Sequence, residues 1–160
     1  MYGLGCSSPP LVPLLLSSSL MPSRRRLARI AVMQTLFELD FARRHERAVG
    51  ENPAQILLRN IDEYGVADVD VSFSEKLLQN TLTHHDDIEE TMQEHAPQWP
   101  LERMDPITRS TLMMGTGELL YGSDAPPAVI MDEAIEIAKE FGEGESGKFV
   151  NGVLNAIAHG

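Results

Sequence analysis

The chain has 160 residues, 42% of them hydrophobic and 23% charged, which is enough to bury one sizeable core and too short for several. Thirteen Lys and Arg face twenty-four Asp and Glu, a net charge of −11; this excludes a nucleic-acid binder coated in positive charge but leaves room for a local basic patch. A single cysteine, Cys6, excludes an internal disulfide framework and a multi-cysteine metal site, and fits a reducing cytoplasm.

Residues 1–22 carry no charged side chain, four prolines and five serines. They lack the basic n-region of a secretory signal, and the apolar run Leu11–Leu16 is short and broken by Pro13. No stretch approaches the ~20 apolar residues that span a bilayer. The segment reads either as a disordered tail or as a misassigned start, with translation beginning at Met21.

Residues 23–160 read as a single all-α domain, with no strand alternation. Ser23 caps a first helix to about His45, on which Leu27, Ile30, Phe37 and Phe41 form one apolar stripe and Val32, Leu36 and Leu39 a second. Two stripes describe a helix packed on both sides, central to the fold or shared with a partner. Asn52-Pro53 opens a helix to about Tyr64, stopped by Gly65. Asp68 or Asp70 opens a longer one to about His95, with Val71, Leu77 or Leu78, Leu82, Ile88 and Met92 on its buried side. Pro97 and Pro100 bracket Trp99 in a turn. Asp105-Pro106 starts a helix to about Tyr121, and residues 122–127 form a loop. Ile130, Ala134, Ile137, Ala138 and Phe141 then mark an amphipathic helix from about Ala128 to Phe141. After a glycine-rich turn, Ser146 caps a last helix carrying Phe149, Val150, Val153, Leu154 and Ile157.

Charge is unevenly spread. Residues 24–47 hold seven arginines against three acidic residues, and residues 48–160 six basic residues against twenty-one acidic ones. An arginine cluster at a helix start is either a solvated helix end or a short polyanion contact, since guanidinium pairs bidentately with phosphate. Cations there oppose the helix dipole, a small cost that favours a functional reason for the cluster. No catalytic or metal pattern accompanies it. His84, His85, Asp86 and Asp87 are consecutive on a helix, so their side chains fan ~100° apart and cannot converge. Neither nucleotide-binding glycine motif occurs, and Glu143 and Glu145 in the Gly142–Gly147 stretch would repel a phosphate. Asn151 and Gly152 are poor formers of a helix interior. Gly152 fits the close approach of another helix, while Asn151 can bond to a neighbouring backbone or to RNA.

The run Met131–Gly142, MDEAIEIAKEFG, followed by Ser146–Leu154, SGKFVNGVL, closely resembles the signature of the NusB transcription antitermination family. Arg24-Arg25-Arg26 with Arg29, Gln34 and Leu36-Phe37 resembles that family's first helix. Trp99, Leu101 and Arg103 with Arg109, and then Glu118-Leu119, resemble its middle segments, so the similarity covers about residues 24–159. It implies an all-α fold of about seven helices in two packed sub-bundles, with no catalysis, no metal and no cofactor. It further implies a protein that pairs with a small-subunit ribosomal protein, NusE. The pair would bind boxA RNA in ribosomal RNA leader transcripts and join the RNA polymerase antitermination complex. On these terms Arg24, Arg25, Arg26, Arg29, Lys148 and Asn151 are RNA-binding positions, with Phe149 and Gly152 in the same C-terminal motif, and Phe37 faces the protein partner. The chain departs from the family at Met113, Gly117 and Asp132. The competing reading is a helical interaction or dimerisation module without RNA binding. A fragment of an RNA methyltransferase with such a domain fused ahead of it fits poorly, because the sequence given ends at Gly160.

Overall fold

The computed structural model describes residues 23–63, 68–122 and 124–160. The expectations for residues 1–22, Tyr64 and Gly65 lie outside them. Among the described residues seven α-helices follow one another: α1 (Arg24–Arg44), α2 (Pro53–Asp62), α3 (Val71–Thr83), α4 (His85–Glu94), α5 (Pro106–Tyr121), α6 (Pro127–Phe141) and α7 (Ser146–His159), with a 3-10 turn at Leu101–Arg103. No strand occurs among the described residues. None of their helices is long and apolar enough to cross a membrane.

Local chemistry sets most helix starts. Ser23 Oγ accepts from the Arg26 N–H at 3.0 Å, Asp70 from Phe73 at 3.1 Å, and Asp105 from Thr108 at 3.0 Å. Asn52 and Gln55 form a reciprocal capping box ahead of α2. The last helix departs from expectation. Ser146 is its first residue rather than its cap. Its hydroxyl turns back to the Glu143 carbonyl, while Thr108 on α5 donates to it at 2.9 Å, so a cap-like side chain serves instead to tie α7 to α5.

The helices assemble as two sub-bundles sharing α5. On one side α1, α2 and α3 pack together; on the other α5 holds α4, α6 and α7. Residues Thr108–Glu118 of α5 are buried without a break, so this helix has no solvent face over three turns. The first half of α1 is equally enclosed, from Leu27 to Met33. Of its two stripes, Leu27, Ile30, Val32 and Leu36 enter the core, whereas Phe37 is half-buried and Phe41 is 40% exposed.

The single long helix expected from Asp70 to His95 is broken at His84. A straight helix of that length would run ~39 Å and leave the core at one end. The bend lets Leu77 and Leu78 pack with α1 while Ile88 and Met92, both fully buried, turn onto α5. His84 is held at the corner by Nδ1 against the Asn80 carbonyl (2.9 Å) and by stacking on Tyr121, centroids 3.7 Å apart.

Glycines permit close approach, though not where the sequence suggested. Gly152 is exposed, and a Cβ there would meet nothing within 4 Å. Two close approaches lie on α5 instead: a Cβ on Gly117 would lie 2.6 Å from Thr81 Oγ1, and one on Gly115 would lie 3.1 Å from Leu154 Cδ1. The family departure at Gly117 is thus a contact point between α5 and α3. Gly117→Ala is expected to cost about 1–3 kcal/mol through overpacking. Gly152→Ala should instead raise stability by up to about 1 kcal/mol, and paired thermal melts distinguish the two.

A second fastening joins α5 to the outer half of α1. Arg109 donates to Asp40 Oδ2 from Nη2 (2.7 Å) and Nε (2.9 Å), and from Nη1 to the carbonyls of Leu101 and Met104, each at 2.9 Å. Burial pushes the Asp40 carboxyl up, but hydrogen bonds and charge from Arg109, helped by Arg44, outweigh this and hold it below its ordinary 3.8. A carboxyl lowered by folding gives stability that is complete above its unfolded value and lost as pH falls through its folded value. Stability should therefore decline below about pH 4. Asp40→Ala should flatten that acid limb and cost about 3–5 kcal/mol at neutral pH by leaving Arg109 buried and unpaired, as melts across the acid range would record.

Candidate nucleic-acid interface

The four N-terminal arginines sit on one turn and a half of α1, yet the structure treats them differently. Arg24 is exposed and its Nε donates to Asp68 at 2.8 Å. Arg25 is partly exposed, with Asp70 and Asp124 carboxylate oxygens each at 3.6 Å and its Cζ 4.6 Å from the centre of the Phe73 ring. Arg26 reaches across to α6 and grips Glu133 with two nitrogens. Hydrogen bonding to that carboxylate, against the penalty of burial, holds the Arg26 guanidinium above its ordinary value and so fully charged.

Arg29 is not at the surface. It is only 2% exposed, and it donates to Glu118 of α5 from Nε (2.8 Å) and Nη2 (2.6 Å), with Glu133 at 3.4 Å from Nη1. Its place is inside the junction of α1, α5 and α6. A strand outside could reach it only by opening that junction. The sequence held a signal for this, because Arg29, Val32 and Leu36 follow the three-and-four spacing of the second apolar stripe. Glu118 and Glu133 had no such signal, since each finds its arginine only through tertiary packing.

The C-terminal motif is placed elsewhere. Lys148 is 86% exposed on its side chain and pairs with Glu145 at 3.1 Å; Asn151 and Gly152 are exposed beyond it on α7, while Phe149 is half-buried. No direct contact among the described residues joins this group to the arginines. Helix α6 touches both, through Glu133 to Arg26 and Arg29 and along its length to α7.

Trp99, which the sequence placed in a turn and in the family's middle segment without assigning it a contact, is 54% exposed and lies 6.0 Å from the Phe149 ring, centroid to centroid. A cleft of about 440 Å³ reaches Lys148 on one side of this pair, and one of about 570 Å³ reaches Arg103 and Glu145 on the other. Exposed rings beside cations suit unpaired bases, which stack on any π face. Phe37 lies on the outer half of α1, its ring 6.3 Å from Phe41, which in turn stacks on His45 at 4.1 Å. This aromatic patch is separate from the N-terminal arginine cluster, though Arg47 Cζ lies 5.7 Å from the Phe41 ring centre.

His85 and Asp86 do meet a third candidate ligand, Glu89, with their ligand atoms within 4.8 Å of one another. The Glu89 carboxylate is already engaged by Arg43 (3.2 Å) and Arg44 (3.5 Å), and His84 turns away to Tyr121.

Two helical sub-bundles around one enclosed helix, with arginines gathered where three helices meet, define an all-α fold seen in solved antitermination factors. The NusB structure from T. maritima superposes with a TM-score of 0.73 at 34% identity, covering 88% of this chain and 93% of that one. A structure of the antitermination factors NusB and NusE in complex with dsRNA matches with a TM-score of 0.72 at 25% identity, covering 85% and 96%. The NusB family profile matches residues 26–159. Curated transcription antitermination proteins NusB from Geobacillus kaustophilus (37% identity, 84% of this chain, 95% of that one) and Desulfitobacterium hafniense (36%, 83% and 86%) align over nearly the same span. The chain belongs to the NusB family, whose members act in transcription antitermination and not as enzymes.

Proposed function

We propose that this protein is a cytoplasmic RNA-binding antitermination factor. With the ribosomal protein NusE it binds single-stranded boxA RNA in ribosomal RNA leader transcripts, within the RNA polymerase antitermination complex. The observation that carries the reading is the arginine cluster at the start of α1, where Arg24, Arg25 and Arg26 are at least partly exposed on an otherwise acidic body. These three, with Lys148 and Asn151 on α7, are the proposed contacts; Arg29 holds the platform beneath them. The aromatic patch around Phe37 is the proposed seat of the ribosomal partner.

The mechanism makes no bond. Guanidinium groups exchange intramolecular carboxylates for RNA phosphates, and Trp99 and Phe149 offer stacking surfaces. Because Arg24, Arg25 and Arg26 each already face a carboxylate, and the net charge is −11, the chain alone is a weak polyanion binder. A basic partner supplies the missing attraction. Those same ion pairs favour the second reading, an interaction module that has lost RNA binding. Titrating labelled boxA RNA with and without NusE separates the two, since the module would bind in neither case.

Arg25→Ala with Arg26→Ala should weaken RNA binding at least about tenfold and make the slope of log affinity against log salt shallower by about 1.4, two single-strand phosphate contacts' worth. Circular dichroism should show helicity unchanged, and unaltered affinity would remove these arginines from the interface. Glu145→Lys removes a negative charge beside the C-terminal motif and releases Lys148 from its pair. RNA affinity should rise, read in the same titration; a fall would move the RNA path away from α7.

A further inference from the structure

We infer that Phe73, on α3, is a positioning residue for RNA binding: its ring is the platform that presents the Arg25 guanidinium to a phosphate. The inference rests on the function proposed above and concerns a residue that neither the arginine motif nor the C-terminal signature contains.

Among the arginines of the cluster, Arg25 is held least by carboxylates. Arg24 and Arg29 have oxygens at 2.8 Å and 2.6 Å, and Arg26 is gripped by Glu133 from two nitrogens. The two carboxylates near Arg25 both stand back at 3.6 Å. What it has instead is a neutral surface, the Phe73 ring 4.6 Å from its Cζ. A guanidinium over an aromatic face is steadied by the ring's quadrupole while its N–H donors, which lie in its own plane, stay available at the edge. A phosphate approaching that edge therefore has less to displace at Arg25 than at its neighbours.

The ring is itself anchored. The Phe73 N–H is capped by Asp70 Oδ1 at 3.1 Å, and the Asp70 N–H donates to the Arg24 carbonyl at 3.3 Å, which fixes the start of α3 against the start of α1. The ring also lies 4.9 Å from Cζ of the buried Arg29 and packs against the core. Phe73 is thus a fixed wall between an arginine that supports the fold and one that faces solvent.

A double-substitution cycle on the full chain with NusE, read by anisotropy of a labelled single-stranded boxA oligoribonucleotide, tests this. Phe73→Leu keeps apolar volume but removes the π face, and should weaken binding about three- to tenfold, whereas Phe73→Tyr restores binding to within about twofold. In an Arg25→Ala background Phe73→Leu should add nothing. Arg25→Lys, which keeps the charge but loses the plane, should weaken binding as Phe73→Leu does, and it serves where the leucine variant fails to fold. Equal weakening by Phe73→Leu with and without Arg25 would overturn the inference, because the ring would then act through the fold. Normal binding by Phe73→Leu beside a weakened Arg25→Ala would overturn it alone. Normal binding by Arg25→Ala would overturn it together with the Arg25 contact on which it stands.

Discussion

The Arg29 guanidinium, enclosed between Glu118 and Glu133, is the interaction on which the rest of this structure depends. It joins three helices from distant parts of the sequence, and every group that accepts its hydrogen bonds is a carboxylate. Taking such groups from water costs several kcal/mol per ion, and attraction offsets that only where the hydrogen bonding is nearly complete. Here it is: two guanidinium nitrogens face Glu118, a third faces Glu133, and Arg26 balances the remaining charge on Glu133. Two arginines and two glutamates form a neutral unit. Its geometry fixes the rotation of α1, and with it the direction in which Arg24 and Arg25 leave the surface.

The distribution of charge follows the same logic at larger scale. Nearly every exposed guanidinium of α1 has a carboxylate from another element within reach, so the basic segment is not a bare positive patch. It is a set of exchangeable pairs on an acidic support. Affinity for a polyanion then depends on the difference between an internal carboxylate and an external phosphate, and a second, basic protein shifts that difference by its field. On the function proposed above, such an arrangement would discriminate against stray nucleic acid and respond strongly to a basic partner.

Much of this was legible in the sequence, and the failures have physical causes. Capping residues and proline at the first helical position mark α2, α3 and α5, because those signals act within one turn. The break at His84 was hidden, since no Gly or Pro interrupts the stretch and its apolar residues keep a helical spacing across the corner; only the curvature of the core around α5 demands it. Gly152 and Ser146 misled for one shared reason. Each is locally suggestive, and each is governed by what lies opposite, open solvent in one case and Thr108 in the other. The arginine cluster was visible as composition, but burial separates Arg29 from the others, and that follows from a stripe that continues through it. Phe73 carried no signal, because its ring meets the arginines across a gap of more than forty residues.

Arg109 is nearly enclosed, and it clasps Asp40 with one edge and the carbonyls of Leu101 and Met104 with the other. The outer half of α1, bearing the Phe37 and Phe41 rings, and the turn that displays Trp99 consequently share a single mounting. A shift of either would weaken the hydrogen bonding of a nearly buried cation, which ties the placement of the two aromatic surfaces to each other. Whatever settles on one finds the other already registered, like two marks on the same ruler.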